Sequence, residues 1–173
     1  TFVNTPKIDM QLRTLTGFSQ ELGSRGAKPA SRVLVAKLIP ASTQMAAVLK
    51  IIPGSEGVEL SRLRMANDDP LCIETAYLPH FQCPGILKFD FSQESLYQVF
   101  EREYGLRLVR AEQTMEASLA TTRELELLHL TAPAAVLRIE RLTFSDQDAL
   151  VEFVISVYRG DRYKFHSALQ TKA

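Results

Sequence analysis

The chain has 173 residues, 46% hydrophobic and 23% charged, which fits one soluble domain able to bury a core without staples. Twenty Lys plus Arg balance twenty Asp plus Glu, and neither sign gathers in one stretch, so the basic stripe of a nucleic-acid module is missing. No signal peptide or long apolar span is visible, which predicts a cytoplasmic protein with no membrane partner.

The first residue is Thr1 rather than Met, which points to a fragment or a processed chain with something upstream. Residues 1–15, with Pro6 and scattered polar residues, read as an incoming linker, and 16–171 as the domain proper. Thr16 is placed as the N-cap of a short helix through Phe18-Ser19-Gln20-Glu21-Leu22, with Gly26 just past its end. Ser31 to Ile39 reads as a strand, and Ser42 caps a helix that Pro53-Gly54 ends. Val58 to Ala66 and Leu71 to Leu78 alternate as two strands joined at Asn67-Asp68-Asp69-Pro70. Ser92 is expected to open a helix from Gln93 to Tyr104, closed by Gly105. Leu106 to Leu119 is a long strand, and Thr121-Thr122-Arg123-Glu124 is a capping box. Val136 to Phe144 and Leu150 to Tyr158 form a second hairpin. A shift of about 78 residues lays one half on the other, Glu74 on Glu152 and Val58 on Val136, with a unit longer than a solenoid repeat. The expected class is α+β: a central antiparallel sheet with helices on its face and a pseudo-twofold internal repeat.

No catalytic signature is present. His80, His129 and His166 are far apart, and there is no Gly-rich phosphate loop, His-x-x-x-His pattern or cluster of metal ligands. Cys72 and Cys83 have no metal-site spacing, and Cys72 sits in an apolar run as a small core residue. No catalytic residue, metal or cofactor is therefore expected. What stands out is Arg62 and Arg64 on one strand, where a period of two puts both guanidiniums on the same face. Their planar donors suit a phosphate; two solvated arginines on an edge strand are the plainer reading. Ser19 and Ser95 each lie near a helix start, where unpaired N–H groups and the dipole favour an anion. Simple capping explains them equally well. Tyr97 adds a phenol or a residue at the core edge. Glu74 and Glu152 are carboxylates among apolar neighbours, and such groups need a partner. A ligand hydroxyl or amide could serve, as could an arginine such as Arg138 or Arg141. A three-residue loop at Asp68-Asp69-Pro70 would set Glu74 opposite Arg64, whereas two or four residues would not. Glu152, Ser156 and Tyr158 share one strand face.

Taken in order, these fragments resemble the UTRA effector-binding domain of HutC-type members of the GntR transcription regulators. The resemblance runs from Gly17-Phe18-Ser19 through Arg62-Leu63-Arg64, Glu74-Thr75-Ala76-Tyr77-Leu78-Pro79, Ser95-Leu96-Tyr97 and Arg141-Leu142-Thr143 to Glu152 and Ser156 through Tyr163. It implies a chorismate-lyase-like fold, a homodimer, and a winged DNA-binding domain ahead of Thr1 that alone would touch DNA. It further implies a small-molecule effector, a phosphorylated amino sugar in the branch whose polar set this chain matches. Phosphate would be held by positions matching the Phe18 backbone, Ser19, Arg62, Arg64, Ser95 and Tyr97, and the sugar read by Glu74, Glu152 and Tyr158. A stand-alone lyase-like enzyme on the same fold is the alternative.

Overall fold

The structure, a computed structural model, describes residues 7–12 and 14–171. Six long strands carry it: β2 (Pro29–Pro40), β3 (Glu56–Ala66), β4 (Asp69–Pro79), β5 (Leu108–Leu119), β6 (Ala135–Ser145) and β7 (Leu150–Arg159). They form one antiparallel sheet in the order β2-β3-β4-β7-β6-β5. The helices are α1 (Phe18–Ser24), α2 (Thr43–Leu49), α3 (Leu96–Tyr104) and α4 (Thr122–Leu128). No helix among the described residues is long and apolar enough to cross a membrane.

The order strand, helix, strand, strand occurs twice, as β2-α2-β3-β4 and β5-α4-β6-β7. The halves also end their helices alike. Ser42 and Thr121 cap α2 and α4 by accepting from Met45 N and Glu124 N, and the Thr121–Glu124 capping box is complete. Lys50 and His129 close these helices in the left-handed region, at φ 55° and 53°. The halves meet at β4 and β7, where Ala76 faces Val154. The internal shift equates those two residues, so the pseudo-twofold passes between them.

The helices divide between the two faces of the sheet, following the alternation of the strands. On one face Leu128 of α4 packs with Leu63, Ile73, Val136 and Val157, and Leu49 of α2 with Phe144 and Leu150. On the other, Leu96, Val99 and Phe100 of α3 cover Val58, Leu60, Ala76 and Val154. Beside them Phe18 and Leu22 of α1 pack over Leu71, Cys72, Ile139 and Tyr158. Cys72 and Cys83 are both buried and free.

Three expectations need correction. Ile8–Gln11, placed in the linker, form a strand (β1) that pairs in parallel with a short unforeseen strand, β8 (Tyr163–His166). Met10 and Tyr163 then join the core under α1, a long-range gain that four residues of alternation cannot announce. The N-cap of α1 is Gly17, not Thr16. Likewise α3 starts at Leu96 with Ser95 as N-cap, because Ser92 turns back onto Asp90 Oδ1 through its N–H (2.9 Å) and hydroxyl (2.6 Å).

Candidate functional site

The hairpin of β3 and β4 decides which side chains meet. Its turn is two residues, Asn67 and Asp68, both left-handed at φ 50° and 67°, as a tight hairpin requires. Two residues alone would place Glu74 on the face away from the arginines. A bulge between Met65/Pro70 and Arg64/Cys72 inserts Leu71 and shifts the register by one. Glu74 therefore lies opposite Arg62, and not opposite Arg64 as a three-residue loop would have it. Glu74 in turn faces Ser156 on β7, and Glu152 faces Thr143 on β6. The face covered by α1 and α3 thus carries Arg62, Arg64, Glu74, Glu152, Ser156, Tyr158, Arg141 and Thr143 side by side.

Most of these groups and the two helix starts line one narrow cleft that is partly open to solvent. Phe18, Arg62, Arg64, Glu74, Ser95, Tyr97, Glu152 and Tyr158 all line it. Ser19 stands just behind, accepting from Arg64 Nη2 at 3.0 Å. The helix starts touch each other: a Cβ on Gly17 would come within 3.4 Å of the Tyr97 ring. Eight of the nine expected ligand residues therefore line this cleft, and the ninth, Ser19, bonds to one of them.

Arg62 and Arg64 are each only 3% exposed. Arg62 Nη2 donates to Glu74 Oε1 at 2.5 Å, while the Arg64 guanidinium lies 4.5 Å from the centre of the Phe18 ring. Arg62 Nε and Nη1, Arg64 Nε and Nη1, and Glu152 Oε2 are buried without a hydrogen-bond partner among the described residues. Oε1 of Glu152 accepts from the Tyr97 hydroxyl at 2.6 Å and the Thr143 hydroxyl at 3.0 Å. Glu152 is thus held by hydroxyls, without the ion pair to Arg138 or Arg141 that was the plainer reading. Arg138 instead binds Glu124 on the opposite face.

The two carboxylates are pushed in opposite directions. Burial alone would raise Glu74, but Arg62 and Arg64 outweigh it and hold its pKa below the ordinary range. Burial raises Glu152, and the Tyr97 hydrogen bond and Arg141 offset that only in part. Burial also raises the phenols of Tyr97 and Tyr158, which stay protonated donors. No group of three or more His, Cys, Asp or Glu among the described residues could hold a metal ion. The cleft thus sets buried guanidinium donors beside two carboxylates.

Sequence reasoning did not place Arg141, Thr143, Glu21 or Met10 in this wall. Arg141 and Thr143 could have been found from the β6–β7 register, had the bulge between Thr143 and Phe144 been known. Met10 carried no signal.

A family model described as the UTRA domain matches residues 24–164. The chain belongs to the UTRA domain family. Among similar proteins, the HTH-type transcriptional repressor NagR of Bacillus subtilis (strain 168) is 39% identical over 165 residues, covering 95% of this chain and 68% of that protein. The crystal structure of PhnF from Mycobacterium smegmatis matches with a TM-score of 0.88 at 25% identity, over 97% of this chain and 74% of that one. The crystal structure of the effector domain of the same PhnF matches in fold alone, with a TM-score of 0.88 at 24% identity, over 95% of this chain and all of that one. This UTRA domain is an effector-binding domain of transcription regulators, and its sheet and helices have the chorismate-lyase-like arrangement of such domains.

Proposed function

We infer that the cleft binds a phosphorylated sugar, an amino-sugar phosphate by the match of its polar set, and that this binding modulates DNA binding by the full-length regulator. One observation carries the reading: four guanidinium nitrogens of Arg62 and Arg64 are buried without an acceptor among the described residues. Leaving such donors unmade is costly, and a phosphate can accept from both forks at once. Ser19, Ser95 and the backbone at Phe18 frame the same end of the cleft. Glu74 and the free Oε2 of Glu152 then accept from sugar hydroxyls or an amide, with Tyr97 orienting Glu152 and Tyr158 closing the wall. The role is sensing, without catalysis or a cofactor.

Residues 1–15 connect in this reading to a winged DNA-binding domain upstream, and two copies form a cytoplasmic homodimer. Met10, Thr16 and Gly17 line the cleft, so the segment leading from that domain touches the ligand site directly. A coupling of about 1–3 kcal/mol between effector and operator is enough for regulation, provided the effector favours one arrangement of the dimer.

The test is calorimetric titration with glucosamine 6-phosphate and N-acetylglucosamine 6-phosphate. Arg64→Gln is the informative variant, because among the described residues Arg64 has only the Ser19 hydroxyl and the Phe18 ring to lose. Each charge-assisted bond lost is worth about 1.5–3 kcal/mol, so affinity falls at least tenfold. A change within twofold at both Arg64→Gln and Arg62→Ala removes the phosphate from this end of the cleft.

A further inference from the structure

The internal shift equates Glu74 with Glu152, yet the sheet gives the two carboxylates different partners across the strand. Glu74 lies opposite Arg62, and Glu152 lies opposite Thr143. The difference comes from where each half places its bulge. The extra residue is Leu71, a short way before Glu74, in one half and Val151, directly beside Glu152, in the other. One carboxylate is thereby paired with a cation, and its counterpart meets a neutral hydroxyl.

Thr143 is fully buried, and its hydroxyl donates to Glu152 Oε1 at 3.0 Å. The same oxygen accepts from the Tyr97 hydroxyl at 2.6 Å. With both donors on Oε1, the carboxylate cannot turn about its last bond without breaking them, and Oε2 is left buried without a partner among the described residues. The two donors are held differently. Tyr97 arrives from α3, whereas Thr143 is fixed by the strand next to Glu152 and by a β-branched side chain with few rotamers. The titratable and charged groups that act on Glu152 are Tyr97 from α3, Glu74 from β4 and Arg141 from β6.

We propose that Thr143 is a positioning residue for effector recognition: its hydroxyl holds Glu152 Oε1, so that Oε2 is the acceptor offered to the ligand, which must present an O–H or N–H there. Its role toward a ligand rests on the reading of the cleft as a sugar-phosphate site. A cation in the place of Thr143 would occupy the carboxylate as Arg62 occupies Glu74. A hydroxyl fixes the group and leaves its charge available. Donation to the charged form also favours that form, so Thr143 works against the burial that raises Glu152.

Thr143→Val keeps the branching and removes the donor, and Thr143→Ser returns it. In carboxyl-carbon NMR titrations of the ligand-free protein, Glu152 should titrate at higher pH in Thr143→Val and at its original pH in Thr143→Ser. Packing of the side chain alone would not produce that pattern. In calorimetric titration with N-acetylglucosamine 6-phosphate, Thr143→Val should bind about tenfold more weakly, the scale of one hydrogen bond to a charged group, and Thr143→Ser should recover most of the loss. Inorganic phosphate, held by Arg62 and Arg64, should bind all three proteins alike. A Glu152 titration that Thr143→Val leaves in place overturns the role of Thr143, and so does equal weakening of both ligands. Failure of the unmodified protein to bind the sugar phosphate overturns instead the reading of the cleft, and it is seen without any variant. Thr143→Ala is the second donor-free variant if Thr143→Val does not fold.

Discussion

Arg62 and Arg64 share a strand face but are held differently, and their substitutions should behave differently. Removing Arg62 leaves Glu74 as a buried carboxylate without its partner, which costs about 3–5 kcal/mol when one member of a buried pair is deleted. A loss of ligand binding in Arg62→Ala is therefore meaningful only alongside a measured Tm. Glu152 carries the opposite expectation. Its folded pKa is raised, so its contribution to stability is fully present below the unfolded carboxylate value and is lost as pH climbs through the folded one. Above that folded value the ligand-free protein carries a buried charge that it would be more stable without. Glu152→Gln keeps an acceptor for Tyr97 and Thr143, and it should raise the ligand-free Tm at pH 7 while lowering sugar affinity. The gain should shrink as pH drops toward about 4, within the ordinary carboxylate range. A Tm difference that stays constant across that interval would show that Glu152 is not strained by its charge.

At the scale of elements, the caps of α2 and α4 and the two hairpins were legible because they are local. Ser42 and Thr121 announce α2 and α4 through a hydroxyl that one backbone N–H needs, and the structure has both bonds. The arginine pair was equally legible, since alternation alone puts Arg62 and Arg64 together. Bulges were not, because an extra residue on one strand shows only against the partner strand. Leu71 is such a residue, and the carboxylate facing Arg62 depends on it. Gly160 marks a comparable tertiary constraint, where the chain leaves β7. A Cβ there would lie 2.7 Å from the Ala135 carbonyl oxygen, to which Gly160 N also donates at 3.1 Å. Gly160→Ala should destabilise the domain by about 1–3 kcal/mol through overpacking against backbone that cannot turn away. Denaturant midpoints read this directly, and an unchanged midpoint would show that the β6–β7 end can open.

For the whole molecule, the cleft is where the halves of the repeat and the added segments are brought into contact. Its walls come from β1, α1, β3, β4, α3, β6 and β7, so a bound effector ties together parts far apart in sequence. Ligand at a hundredfold excess over Kd adds about 2.7 kcal/mol to stability by mass action. For a domain of this length that corresponds to a Tm rise of roughly 5–10 °C. A scan of phosphorylated sugars by thermal shift should pick out the effector by that rise, and Arg64→Gln, with affinity at least tenfold lower, should cut it to about half or less.

By itself the sequence determined the order of the long strands and helices and the paired arginines, because periodicity and capping act within a few residues, and it singled out Glu74 and Glu152 as carboxylates among apolar neighbours. Only the tertiary structure decided that Glu74 meets Arg62, that Glu152 is held by hydroxyls, that Arg141 lines the same cleft, and that residues 8–11 are part of the fold. Each of these depends on a register or contact between distant segments, and the free energy that selects it comes from burial that no local stretch of chain contains.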